Sequence, residues 1–165
     1  MLYLATNFCY FKFKKIGWAR ERVVLTEMSE VAAQPEGFLA SRHVALPRDT
    51  NTHGDIFGGW LMSQMDLAGG VSAGRIAMGR VVTIAVKEML FLKPVKVGNL
   101  ISCYTNVSKV GQTSITIKVE AWAQSNISPD DAIKVTEGTF TYVAVTQGGT
   151  PRAIKIPKET PATLD

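Results

Sequence analysis

Cysteine is almost missing from this 165-residue chain: Cys9 and Cys103 stand far apart, with no CxxC pair and no Cys/His cluster of zinc-ligand spacing. That speaks against a disulfide framework and against a metal site, and makes a reducing cytoplasm the expected compartment. No run approaches the ~20 apolar residues that a membrane span needs. Residues 2–10 are apolar, but the basic residues follow them instead of preceding them, which is the wrong order for a secretory signal. The chain also lacks a GxSxG elbow, a P-loop and a GxGxxG turn, so Ser-His-Asp hydrolysis and nucleotide-loop chemistry have no support. There is no internal repeat, no low-complexity tract and no DNA-binding helix-turn-helix pattern.

With 46% hydrophobic residues the chain can bury a core, and its length fits one domain by the usual ~100–200 residues. The formal charge of +4 suits a nucleic acid, a membrane surface or a small polyanion such as a nucleotide diphosphate. Part of that excess sits at one end, where Lys12, Lys14, Lys15, Arg20 and Arg22 face only Glu21. Residues 1–27 differ in composition from the rest, being aromatic and basic without a clean period. They read either as an interfacial anchor or, preferably, as an extension upstream of a true start at Met28. Residues 28–37 read as a solvated lead-in.

Phe38–Leu46 alternates and is expected to form a strand, broken by Pro47 and the polar residues up to Asn51. The segment Asn51-Thr-His-Gly-Asp-Ile-Phe-Gly-Gly-Trp60-Leu-Met-Ser-Gln-Met-Asp66-Leu-Ala-Gly-Gly70 then passes from a polar loop into an apolar stretch. Asp55 is placed as a helix N-cap, and Leu61, Met65, Ala68 and Ile76 fall close to helical spacing, giving a helix over 57–78 that ends near Gly79. Its glycines each cost roughly 1 kcal/mol against Ala, and Asp66 is the one acidic residue between Trp60 and Gly74. Close backbone approach and a carboxylate with a task are the physical reasons for such a helix. Strands follow at 80–90, 100–110, 113–124, where Ile115, Ile117, Val119 and Ala121 mark one face, and 133–146. One strand, one long helix and then four strands indicate an α+β fold with an antiparallel sheet.

Asn-x-x-Gly-Asp-Ile-Phe-Gly-Gly-Trp followed by Met-Asp-x-x-Gly-Gly resembles the hotdog-fold acyl-CoA thioesterases, closely the bacterial YciA type. The resemblance continues through Gly79-Arg-Val-Val-Thr83, Phe91-Leu-Lys-Pro-Val-Lys-Val-Gly98, Lys109-Val-Gly111 and Thr139-Phe-Thr-Tyr-Val-Ala-Val145, and spans residues 38–157, leaving 158–165 as a tail. It implies a hotdog fold, a five-stranded antiparallel sheet wrapped around one long central helix. The implied activity is hydrolysis of acyl-CoA to free acid and CoA, with no metal or other cofactor.

Thioester hydrolysis needs a polarised carbonyl, an activated water or nucleophile, and a grip on CoA. Amides at a helix N-terminus lack intrahelical partners, so Gly58 and Gly59 can stabilise an oxygen gaining charge; plain capping with glycines kept for packing is the competing reading. Asp66 is the expected base or nucleophile, a role that the resemblance assigns to the acidic residue at this position. Asn51 is placed to bond the carbonyl or the water, or else to form an Asx-turn, and Thr83 to hold the water or simply to build a strand. For CoA the candidates are Arg80 and the segment Lys109, Gly111, Gln112 and Ser114, with Lys93 and Lys96 weaker. Trp60, Met62 or Met65 would line the acyl chain, or fill the core. His53 lies in the motif loop and His43 in the first strand, but the His-and-acid pattern of the related dehydratases is missing.

Gly59 and Asp66 are seven residues apart, roughly 10 Å along one helix. A base must come within about 3 Å of its proton, or act through one water, so one chain does not readily bring both groups to the same carbonyl. Two copies with antiparallel helices can. The expectation is an obligate homodimer with shared sites, assembling further into a hexamer by resemblance. No nucleic-acid or membrane partner is expected. The rival reading is an acyl-CoA-binding sensor that keeps the fold without turnover.

Overall fold

Inward residues at period 2 along parts of the last two strands, and at helical period on one segment, place the core between sheet and helix. The computed structural model describes residues 34–125 and 132–155. The extension at 1–27, most of the lead-in, the loop at 126–131 and the tail at 158–165 lie outside these described residues.

The chain runs β1 (Phe38–Val44), a 3₁₀ turn (Pro47–Asp49), α1 (Gly58–Ala77), β2 (Val81–Phe91), β3 (Leu100–Val110), β4 (Ser114–Gln124) and β5 (Ile133–Ala144). All pairings are antiparallel, and the spatial order is β1-β3-β4-β5-β2. The expected elements are all present, offset at their ends by one or two residues. α1 lies against the sheet and buries Leu61, Met65, Ala68, Ala73 and Ala77. Ile115, Ile117, Val119 and Ala121 are the β4 face expected from the alternation and are fully buried, next to Phe140 and Tyr142 of β5. Met65 is likewise 0% exposed, so it belongs to the core and does not line an open acyl channel.

Asp55 is not the N-cap. Ile56 is pulled into the core and its N–H donates to the Val95 carbonyl, holding the chain extended until Phe57. Phe57 takes the capping position without a side-chain cap, and the Asp55 carboxylate pairs with Lys96 instead. At the other end Met78 adopts φ 49°, and the Gly79 N–H closes on the Gly74 carbonyl. The segment after Pro151 is irregular, as expected, but tied down. The Arg152 N–H donates to the Ala144 carbonyl and its guanidinium to the carbonyls of Ala77, at 2.7 Å, and Val145.

β1 and β2 are the two sheet edges, and β2, with 11 residues against 7, is the longer. It exposes Val82, Ile84, Val86, Leu90 and Phe91. A long apolar edge strand left open is a template for a further strand.

Candidate active site

Asp66 sits two turns into α1, half-buried, facing the seam between the helix and the β2–β5 pair. Thr83 of β2 and Tyr142 of β5 are direct cross-strand partners, so their side chains leave the sheet on the same face. Both reach the same carboxylate oxygen. Thr83 Oγ1 donates to Asp66 Oδ1 at 2.7 Å, and the Tyr142 hydroxyl lies 3.2 Å from Oδ1 and 2.9 Å from the Asp66 backbone carbonyl. Asp66 Oδ2 has no hydrogen-bond partner among the described residues. A β-bulge follows Thr83 immediately, a distortion of the kind that re-aims side chains beside functional sites. These residues, with Val71 and Val81, border an open hollow of about 390 Å³.

Burial, and after it the Asp66 carboxylate, pushes the Tyr142 phenol far above its ordinary range. It is therefore a hydrogen-bond donor here and not a base. Tyr142 escaped the sequence reading, although a signal was present. In Phe140, Tyr142 and Ala144 the alternation turns a tyrosine inward, and a buried phenol needs a partner.

The loop before α1 builds a second constellation. Asn51 Oδ1 accepts the N–H groups of His53, at 2.8 Å, and Asp55, at 3.2 Å, which is the Asx-turn reading of this residue. That turn uses only the carbonyl end of the amide. Asn51 Nδ2 has no partner among the described residues, so its two hydrogens remain for a ligand. Backbone bonding of the helix starts with the Trp60 and Leu61 N–H groups, both on the Phe57 carbonyl. The N–H groups of Gly58 and Gly59 have no acceptor among the described residues, at the positive end of a 20-residue helix. Asn51, Gly59, Trp60 and Phe57 border a hollow of about 440 Å³. A separate one of about 310 Å³ lies between Gly58, Leu61 and Phe91.

The structure thus brings Asp66 together with Thr83, and Asn51 together with Gly59, but the two pairs open into different hollows on one chain. The residues chosen for CoA collect at one end of the sheet. Gly111 and Gln112 form the β3–β4 turn, where the Gly111 N–H donates to the Ser114 carbonyl at 2.7 Å. Arg80 precedes β2 at the same end, where the Ala144 N–H meets the Thr113 carbonyl and the Val145 N–H the Arg80 carbonyl. Arg80 Nη1 is used internally, donating to the Gln147 carbonyl at 2.8 Å. Lys109 is exposed at a β-bulge and makes no ion pair among the described residues. Of the weaker candidates, Lys96 is engaged by Asp55, and Lys93 is exposed beside Phe91. His43 is half-buried in β1, and His53 is exposed with its backbone in the Asn51 turn. No group of three or more His, Cys, Asp or Glu side chains among the described residues is arranged to hold a metal ion. No described helix is long and apolar enough to cross a membrane.

A five-stranded antiparallel sheet over one glycine-rich helix, with a carboxylate at mid-helix and free amides at its start, defines a class that comparison with known proteins identifies. Residues 53–129 match the thioesterase superfamily. The chain is similar to the acyl-CoA thioester hydrolase YciA of Escherichia coli strain K12, at 47% identity over 131 residues, covering 78% of this chain and 99% of that protein. It superposes on a hexameric thioesterase from Yersinia pestis with a TM-score of 0.70 at 50% identity, covering 74% of this chain and 99% of the other. For a hexameric hotdog-fold thioesterase of Campylobacter jejuni the TM-score is 0.68 at 44% identity, covering 72% and 91%. The chain belongs to the thioesterase superfamily and has the hotdog fold. Within that superfamily it falls among the acyl-CoA thioester hydrolases of the YciA type, and it is an enzyme of that class.

Proposed function

We propose that this hydrolase cleaves acyl-CoA at sites shared between two chains, with Asp66 of one chain and the Gly58 and Gly59 amides of the other meeting at one thioester. One observation carries the proposal. Asp66 is held by two hydroxyls with Oδ2 left over, while Gly59 and Asn51 open into another hollow on the same chain.

Pairing of two β2 edges supplies the missing geometry. For an antiparallel register centred near Val86, Val81 of one copy lies opposite Phe91 of the other, and Thr83 opposite Met89. Phe91 touches Gly58, since a Cβ on that glycine would lie 3.2 Å from the ring. The same pairing therefore carries one chain's helix start towards the other chain's Asp66 and Thr83, and covers the apolar edge.

In that arrangement the carbonyl oxygen takes hydrogen bonds from the Gly58 and Gly59 amides and from Asn51 Nδ2, which stabilise the negative charge as it develops. Thr83 orients the carboxylate. Asp66 then either takes a proton from the attacking water and returns it to the departing CoA sulfur, or attacks the carbonyl carbon itself, breaking the C–S bond and expelling CoA thiolate, to give an anhydride that water opens, with a proton of that water balancing the one the thiolate takes up. Both routes end in free acid and CoA. Lys109, Gln112, Ser114 and the remaining guanidinium N–H groups of Arg80 take the CoA phosphates, which accords with the net charge of +4, while Gly111, whose N–H is spent on the Ser114 carbonyl, serves only to shape the turn. The route uses these residues and water alone, without a metal or further cofactor. The solved relatives described as hexameric support three such dimers assembling together. The expected setting is the cytoplasm, with no nucleic-acid or membrane partner, a reading that rests on the composition.

The test is release of free CoA from acyl-CoA of C2 to C16 by wild type and Asp66→Ala, both checked for folding and oligomer size. Turnover by the wild type that disappears in the folded variant supports the assignment. Equal turnover by both proteins places the chemistry on another residue.

A further inference from the structure

An acting carboxylate must be held in one orientation, because a misplacement of about 1 Å can cost two orders of magnitude in rate. Asp66 receives no donor from another α1 side chain among the described residues, so the sheet has to supply its hold. Thr83 is the obvious element of that hold. Tyr142, 76 positions away in sequence and 1% exposed, is the less obvious one.

The Tyr142 hydroxyl carries a single hydrogen between two acceptors, both belonging to Asp66: the backbone carbonyl at 2.9 Å and Oδ1 at 3.2 Å. Contact with the main chain and the side chain of one residue fixes the torsion between them, since rotation about Cα–Cβ would carry Oδ1 away from the phenol. Thr83 meets the same Oδ1 from the neighbouring strand. Together the two hydroxyls make the carboxylate unsymmetrical, with Oδ1 bound and Oδ2 available. The helix is shaped for this contact. A Cβ on Gly69 would stand 2.2 Å from the Tyr142 hydroxyl and 2.9 Å from Cζ, so only glycine leaves room for the phenol at this point.

We propose that Tyr142 is a positioning residue for the hydrolysis, with Gly69 the residue that admits it: the phenol locks the Asp66 carboxylate so that Oδ2 faces the water or the thioester carbon. This rests on Asp66 being the acting carboxylate. The phenol transfers no proton and stays a donor throughout.

The experiment compares kcat and KM for wild type, Tyr142→Phe, Gly69→Ala and the double variant, on protein of wild-type oligomer size, with Asp66→Ala beside them. Tyr142→Phe keeps the ring and removes the donor. Its kcat should fall about tenfold or more with KM within about twofold of wild type. Gly69→Ala keeps the hydroxyl but displaces it, and should give the same kcat loss. In the double variant the losses should not multiply, because both act through one contact. A wild-type kcat per folded site in Tyr142→Phe, beside an inactive Asp66→Ala, overturns the positioning role alone. Multiplying losses in the double variant overturn it too. An active Asp66→Ala overturns the catalytic assignment, and this inference with it.

Discussion

Two variants that are each inactive should restore one another if the catalytic halves come from different chains. The perturbation is co-expression of Asp66→Ala and Asn51→Ala, each with its own affinity tag. Along α1 the Gly59 amide and Asp66 are separated by seven residues, about 10 Å at 1.5 Å per residue. A base reaches about 3 Å directly, and one water extends that by only a further hydrogen bond. The distance is therefore too great for one chain to serve one carbonyl, in keeping with the separate hollows around Asn51 and Asp66. In a two-fold dimer, random assortment makes about half the dimers hybrid. Each hybrid has one site with both lesions and one site with neither. An unselected mixture should then regain about one quarter of wild-type CoA release, and hexamers purified through both tags, which still contain all three kinds of dimer, about the same. The assay is thiol release from acyl-CoA under saturating substrate. Doubly tagged hybrids, shown to contain both chains, that are no more active than the average of the two parents would refute the shared site.

Three further outcomes follow from the geometry. Arg152→Ala removes the cation that donates to the Ala77 carbonyl at the C-terminal end of α1, and should cost about 1–2 kcal/mol in chemical denaturation. Met78→Gly relieves a left-handed backbone at φ 49° on a largely exposed residue, and should stabilise the fold by about 1 kcal/mol, read as a raised melting temperature. The last concerns pH. On the sheet face away from α1, Lys118 and Lys134 bridge Glu120 and Glu137, and Trp122 Nε1 donates to Glu120 at 3.1 Å. Burial works against the Glu120 charge, but the hydrogen bonds from Trp122, Lys134 and Lys118 outweigh it and hold the carboxyl below its ordinary 4.5. The Lys134 hydrogen bond leads in lowering Glu137. A carboxyl lowered on folding stabilises fully above its unfolded value and loses that contribution as pH falls through the folded one. Lys134→Met should therefore be less stable than wild type at pH 7, with the gap narrowing below about pH 4.5 in denaturation midpoints measured across that range.

The periodicities that the sequence carries are local, and they were sufficient for the elements. Alternation through Ile115, Ile117, Val119 and Ala121 marks a buried strand face whatever its neighbours are, because successive side chains of a strand point to opposite sides. Helical spacing from Leu61 through Met65 to Ala68 does the same for α1. The motif from Asn51 to Gly70 also pointed to the stretch where the chemistry is proposed to lie, since a carboxylate and a run of glycines in an apolar helix have few structural uses. Asp55 shows the limit of such reasoning. Its spacing suits a cap, but the pull of Ile56 into the core and the bond to Val95 delay the helix by two residues and leave the carboxylate to Lys96.

Tyr142 shows the limit more sharply. Its role depends on β2 and β5 pairing in the register that sets Thr83 opposite it, and on α1 crossing that pair at Asp66 and Gly69. Sequence by itself determined the elements and the fold class, and singled out the stretch proposed to react, because those follow from short-range spacing and side-chain chemistry. Only the tertiary structure decided which donors hold Asp66, that Asn51 keeps its amide hydrogens free while its oxygen closes a turn, and that the two halves of the proposed site open apart on one chain. Those depend on distances between residues far apart in sequence, which strand register and helix crossing set and local spacing does not encode.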